Sequence, residues 1–254
     1  MPARLGQEIQ AMSLSNYQEA RLDHRLCFVG DSFVQGTCDP LCLGWVGRVA
    51  GHARFSGVNL TSYNLGIRCN TSRDIALRWQ QECAARFPAD CQRYVVFSFG
   101  VNDTTIEDGT LRVPEAESLE HFRTIVSQAS AQYATAVVGP PPIADASQNA
   151  RIRHLSDRFA EAAQTLNVPY LPVYETLQAD PVWMAEVAAQ DGAHPGAQGY
   201  PRLADLVLAW PQWWFQSSVM LRWEVPQVLH RQTFPSQTIL PLDERLRQKI
   251  GPFC

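Results

Sequence analysis

Five short strand-like runs, four of them closed by a glycine, alternate with stretches of helical periodicity over the first 215 residues of this chain. The runs are Leu26–Val29 before Gly30, Thr61–Leu65 before Gly66, Tyr94–Phe99 before Gly100, Ala136–Val138 before Gly139, and Val168–Val173. Near-continuous apolar runs of four to eight residues suit strands buried on both faces. Between them, apolar residues recur at helical spacing: Trp45, Val46, Val49 and Ala50; Ile75, Trp79 and Cys83; Leu119, Phe122, Ile125, Val126 and Ala129; Ile152, Leu155, Phe159, Ala163 and Leu166. The second of these helices has Thr71 or Ser72 as its N-cap, with Asp74 in the first turn. A last helix is expected over Tyr200–Trp214, apolar almost all round near its middle and therefore well buried. Pro169 and Pro172 push the fifth run to a sheet edge. Strands that alternate with helices imply an α/β fold with a parallel sheet covered on both faces. In such sheets a ligand lies in the crevice outside the carboxyl ends of the strands. That directs attention to Asp31-Ser32, Ile67-Arg68 and Val101-Asn102-Asp103.

Composition narrows the function classes. The chain has 254 residues, 46 % of them hydrophobic and 18 % charged, which is ordinary globular usage. Its length is enough to bury a large core without disulfides or a structural metal. The net charge is −4 and the Arg residues are scattered, with Lys249 the only Lys, so no nucleic-acid footprint is expected. No apolar run approaches the roughly 18 residues of a membrane span. The N-terminal segment carries charges throughout and has no apolar core, which points to the cytoplasm. Seven Cys, an odd number, then read as free thiols. Three residues separate Cys38 from Cys42, but no matching His or Cys pair follows, so no four-ligand zinc site is expected. Gly-x-Ser-x-Gly, the dinucleotide loop, the P-loop and His-Glu-x-x-His are all missing, and neither a cofactor nor a metal is implied.

Four segments carry candidate chemistry. Ser32 follows the first strand directly, in Gly30-Asp31-Ser32-Phe33, where a strand-to-helix turn exposes a side chain. A serine nucleophile needs a base. His194, in Asp191-Gly192-Ala193-His194-Pro195-Gly196, lies in a Gly/Pro-rich loop before the last helix, and Asp191 is one tight turn away from it. Gly66 ends the second strand and lets a substrate approach its N–H. Asn102 follows the third strand and can donate from its amide. Taken singly, each has a plain reading: a capping serine, a turn glycine, an Asx turn, a turn aspartate.

Together, in the order GDSF, NLG, GVND and DGAHP, these blocks make the chain resemble the SGNH hydrolases, the GDSL esterase/lipase family, from about residue 25 to about 215. The flanking GWVGRVA, NTSRDI and HPGAQGY share in the likeness. The resemblance implies a flavodoxin-like three-layer α/β/α sandwich with a central parallel sheet. It implies Ser32 as nucleophile, His194 as general base and then acid, and Asp191 as its orienting partner. The oxyanion donors would be Ser32 N–H, Gly66 N–H and the Asn102 side chain. Phe33 stands where the name-giving motif has Leu, and is expected to alter a pocket wall and not the chemistry.

The expected activity is metal-independent hydrolysis of short-to-medium acyl esters or thioesters of a small-molecule substrate through an acyl-enzyme. An acyltransferase on the same Ser-His-Asp site and a lysophospholipase are the alternatives. Activity is expected to rise with pH through about 6 to 8 as His194 loses its proton. Phe33, Arg68 and Ile143, with Trp45 and Trp183, are candidate substrate-pocket residues by their nearness in sequence to the blocks. Asp31 and Asp103 are expected to bond local backbone. The organisation reads as an N-terminal segment 1–24, a hydrolase domain 25–215 and a C-terminal extension 216–254. The extension holds four prolines and a strand-like VMLRWEV at 219–225, and is expected to be an arm on the body or on a second subunit of a homodimer. Stable membrane insertion is not expected.

Overall fold

A computed structural model describes residues 22–216. Its core is a five-stranded sheet formed by β1 (His24–Gly30), β2 (Leu60–Gly66), β3 (Gln92–Ser98), β6 (Ala134–Val138) and β7 (Tyr170–Leu171). The strand order is β2-β1-β3-β6-β7 and every pairing is parallel. Counted within the sheet this is 2-1-3-4-5, the flavodoxin-like order. The expected α/β/α sandwich is therefore present.

The central strand shows why both faces are apolar. Leu26 and Phe28 point into one core, while Cys27 and Val29 point into the other. The first core is closed by α2 (Gly44–Phe55) and α8 (Gly199–Ala209), with Trp45, Val49, Leu203 and Val207 buried. Two short helices, α6 (Tyr174–Gln178) and α7 (Pro181–Ala189), add Leu177, Trp183 and Val187 to it. The second core is closed by α3 (Ser72–Ala84), α4 (Glu115–Ser130) and α5 (Ala146–Thr165), with Trp79, Phe122 and Phe159 buried. The N-cap of α3 is Thr71, in a full capping box with Asp74.

The sequence reading differs from the structure at three places. The last helix stops at Ala209 because Trp210, which precedes Pro211, is extended at φ −72°, ψ 120°. That helix is also two-faced: Arg202 and Asp205 are exposed. The edge strand shrinks to Tyr170–Leu171 between its two prolines. A small hairpin of β4 (Ile106–Glu107) and β5 (Thr110–Leu111), beyond β3, has no counterpart in the periodicity. The expected N-terminal segment, apart from residues 22–24, and the expected C-terminal arm beyond Gln216, including VMLRWEV, lie outside the described residues. Among the described residues, no helix is long and apolar enough to cross a membrane.

Register places the functional loops. Gly30 is paired with Gly66 on one side and Ser98 on the other, so three strands end on one line. The segments that follow them emerge side by side at that edge.

Candidate active site

Ser32 opens α1 (Ser32–Gln35), a single turn directly after β1. Asp31 caps this turn: its Oδ1 accepts from Phe33 N at 2.9 Å. The turn holds Ser32 at the sheet edge but, contrary to the expectation from a strand-to-helix turn, does not expose it: the serine is 2 % exposed.

His194 reaches it from the loop between α7 and α8, 162 residues later. Its Nε2 lies 2.7 Å from Ser32 Oγ, and its Nδ1 lies 2.7 Å from Asp191 Oδ2. Asp191 also folds its own loop. Its Oδ1 accepts from Ala193 N at 3.0 Å and His194 N at 2.8 Å, which fixes both ends of the His–Asp contact. With its other nitrogen facing a carboxylate, the neutral imidazole carries its proton on Nδ1 and leaves Nε2 free to accept. Burial alone would push the Asp191 carboxyl up, but the backbone N–H groups and His194 hold it down to about 2. Burial lowers the pKa of His194; Asp191 opposes that shift and the positive charge of Arg68 adds to it. The outcome is an imidazole below its ordinary value.

A residue that the sequence reading did not single out holds this loop in place. Glu186, on α7, accepts from Gly196 N (2.9 Å), Gln198 N (3.0 Å) and Gly199 N (2.6 Å). It satisfies the free N–H groups at the start of α8 from another helix. Its contact partners are ten to thirteen residues away, beyond the reach of any local capping pattern.

The other expected site residues gather at the same edge. Asn102 begins a turn of 3₁₀-helix, Asn102–Thr104, and is buried. One hydrogen of its Nδ2 goes to Asn70 O at 2.9 Å, which leaves the other for a ligand. Gly66 N donates to Asn64 Oδ1 at 3.0 Å. Asp103 anchors the Asn102 turn to two helices, accepting from Ser72 N at 2.8 Å and Ser118 Oγ at 2.7 Å. Asp31 and Asp103 both bond backbone, as expected.

The pocket candidates divide. Ile143 lines a cleft of about 350 Å³ that begins at Asn102 and Asp191 and is rimmed by Glu107, Arg112 and Gln148. Arg68 is exposed and does not line that cleft; its positive charge acts on His194. Phe33 is 2 % exposed and packs on His194 at 4.8 Å between ring centres, so it supports the imidazole from within the core. Trp183 stacks on Phe33 and donates to Pro142 O at 3.0 Å. Trp45 packs on Phe28 inside the core. Neither tryptophan lines that cleft, because each is closed off by neighbouring helices.

The model of the GDSL-like lipase/acylhydrolase family matches residues 28–202. The chain belongs to that family. As a GDSL-like acylhydrolase it is a carboxylic-ester hydrolase. No curated protein matches it by sequence. Solved structures share its fold at low identity. A lipase/acylhydrolase from Enterococcus faecalis is 23 % identical, with a TM-score of 0.61 over 72 % of this chain and 93 % of that one. LAE5, an alpha/beta hydrolase enzyme from the metagenome of Lake Arreo, is 22 % identical, with a TM-score of 0.61 over 75 % and 96 %. Axe2, an acetylxylan esterase from Geobacillus stearothermophilus, is 19 % identical, with a TM-score of 0.64 over 79 % and 100 %.

Proposed function

We propose that Ser32, His194 and Asp191 are the catalytic triad of a metal-independent esterase that cleaves short-to-medium acyl esters or thioesters. The observation that carries this reading is the unbroken relay from Ser32 Oγ through both nitrogens of His194 to Asp191, with both steps at 2.7 Å. Ser32 Oγ attacks the acyl carbonyl while His194 Nε2 takes its proton. Asp191 stabilises the imidazolium that forms. The oxyanion is received by Ser32 N–H, Gly66 N–H and Asn102 Nδ2. His194 then gives its proton to the leaving alcohol or thiol, and an acyl-Ser32 remains. Water, deprotonated by His194, releases the acid and restores the serine.

Water is taken as the acceptor in preference to a second alcohol, in keeping with the acylhydrolase description of the family. The cleft sets polar Glu107, Arg112 and Gln148 beside apolar Val101, Ile106 and Ile143, which suits a small ester with a polar alcohol and a short acyl chain. The likeness to an acetylxylan esterase fits that preference. A cytoplasmic location belongs to this reading, supported by six free cysteines among the described residues.

The test is hydrolysis of p-nitrophenyl esters, acetate through palmitate, by wild type and Ser32→Ala. Loss of activity in the variant, with a preference for acetate or butyrate, is the expected result. Equal activity in both proteins overturns the triad. Acyl transfer to an added alcohol, in preference to release of the acid, moves the protein to the transferase reading.

A further inference from the structure

A thiol faces the outer side of the triad. Cys38 Sγ lies 3.6 Å from Asp191 Oδ2, the oxygen that also meets His194 Nδ1. One ligand atom from each of Cys38, Asp191 and His194 lies within 4.8 Å of the other two. Sulfur, carboxylate oxygen and imidazole nitrogen together form the donor set of a borderline-soft divalent cation.

The thiol is held where it stands. Cys38 sits in the left-handed region, at φ 68°, in the loop between α1 and α2. Both neighbours are anchored in the core. Thr37 O accepts from Tyr200 OH at 2.8 Å, and Asp39 is buried against Arg48 and accepts from Gly44 N at 2.7 Å.

We propose that Cys38, Asp191 and His194 form an inhibitory zinc site that overlaps the active centre, an inference that rests on His194 being the base. Zinc bonds of about 2.3 Å to sulfur and about 2.0–2.2 Å to nitrogen and oxygen, at tetrahedral angles, require ligands about 3.6 Å apart for S···O and about 3.4 Å for N···O. The Cys38–Asp191 spacing already meets the first figure. The second needs the 2.7 Å His194–Asp191 contact to open by about 0.7 Å, and the sulfur, within 4.8 Å of the His194 nitrogen, must settle about 3.6 Å from it. Water from the solvent side fills the fourth position.

The proton count explains the inhibition. On binding, the Cys38 thiol releases its proton to solvent and the thiolate bonds the metal. Zinc takes the Nδ1 lone pair, so the single proton of the neutral ring moves from Nδ1 to Nε2. Nε2–H then faces Ser32 Oγ as a donor and can no longer accept the serine proton. Magnesium and calcium, which prefer all-oxygen shells, lack this effect. The sequence could not show such a site, since its sulfur and nitrogen ligands lie on different loops 156 residues apart.

The experiment compares wild type with Cys38→Ser in zinc-buffered ester assays. Wild-type activity is expected to fall as free zinc rises, to return with a chelator, and to ignore magnesium. Cys38→Ser should need at least about tenfold more zinc for half-inhibition, the scale on which lost metal-site partners act. The same midpoint in both proteins overturns the site, as does zinc-insensitive wild type. A second readout works without catalysis. In the Ser32→Ala chain, zinc should shield Cys38, but not exposed Cys42, from alkylation followed by peptide mapping. Shielding in a wild type without esterase activity would keep the zinc site and remove the esterase reading. Unshielded Cys38 in an active, serine-dependent esterase would do the reverse.

Discussion

A Cβ built on Gly66 would lie 2.1 Å from the backbone nitrogen of Gln35. It would also stand 2.7 Å from Asp31 O, so the end of β2 is pressed against the turn that carries Ser32. Both obstacles are backbone and cannot swing aside. Gly66→Ala must therefore move strand or turn by roughly an ångström, a displacement that can cost about 10²-fold in rate. Overpacking of this kind also costs about 1–3 kcal/mol. Esterase kcat and urea midpoints of the purified variant check both. Near-wild-type kcat would sink the claim that this contact sets the site.

A buried ion pair anchors the loop from Gly36 to Gly44. Arg48 Nη1 meets Asp39 Oδ2 at 2.5 Å, with the two side chains 1 % and 0 % exposed. Burial alone would raise the Asp39 carboxyl, but Arg48 and the N–H groups of Leu41 and Gly44 hold it below its ordinary value. Arg48→Met would leave that carboxylate buried and unpaired, and is expected to destabilise the fold by about 3–5 kcal/mol. Urea denaturation at pH 7 measures it. A change under about 1 kcal/mol would mean that the pair is dispensable.

Much of this was legible beforehand, for a physical reason. A parallel sheet buries both faces, so its strands appear as apolar runs, and glycines mark their ends. Three of the site blocks follow those ends and the fourth lies in the Gly/Pro-rich loop before the last helix, which is why Ser32, Gly66, Asn102 and His194 could be proposed from spacing and resemblance. Glu186, Arg48 and Cys38 could not. Each acts through a contact with a distant or differently structured segment, and no local pattern encodes it. Phe33 and Trp183 went to the core because nearness in sequence to a block says nothing about which side of the turn a ring occupies.

Asp31 makes the fold sensitive to pH. Its Oδ2 is buried without a hydrogen-bond partner, and burial pushes its carboxyl up to about 7, with Asp103 adding to the shift. The folded state therefore holds a proton that the unfolded chain releases near pH 4. The stability this gives is complete below about pH 4 and is lost as pH rises to about 7, a total on the order of 4 kcal/mol. Asn in place of Asp keeps the oxygen that accepts from Phe33 N and removes the titration. Wild type should accordingly lose stability relative to Asp31→Asn between pH 4 and 7. Parallel denaturation curves for the two proteins over that range would refute a buried, proton-holding Asp31.

The pH–rate profile should sit lower than a free imidazole would give. An ordinary imidazole implies activity rising through about pH 6 to 8. In the folded chain His194 is pushed below its ordinary value of about 6.5, first by burial and further by Arg68, with Asp191 opposing. The proposed base is then already neutral at mildly acidic pH, so the rising limb of kcat/KM, which reports the free enzyme, should have its midpoint below about 6.5. The two neighbours supply opposite controls. Arg68→Gln removes a positive charge and should move the midpoint up. Asp191→Asn removes the carboxylate that favours the imidazolium and should move it down, with a large fall in kcat. Profiles measured with a chelator present test all three. A midpoint above 6.5, or one that ignores Arg68→Gln, would show that another group limits the reaction.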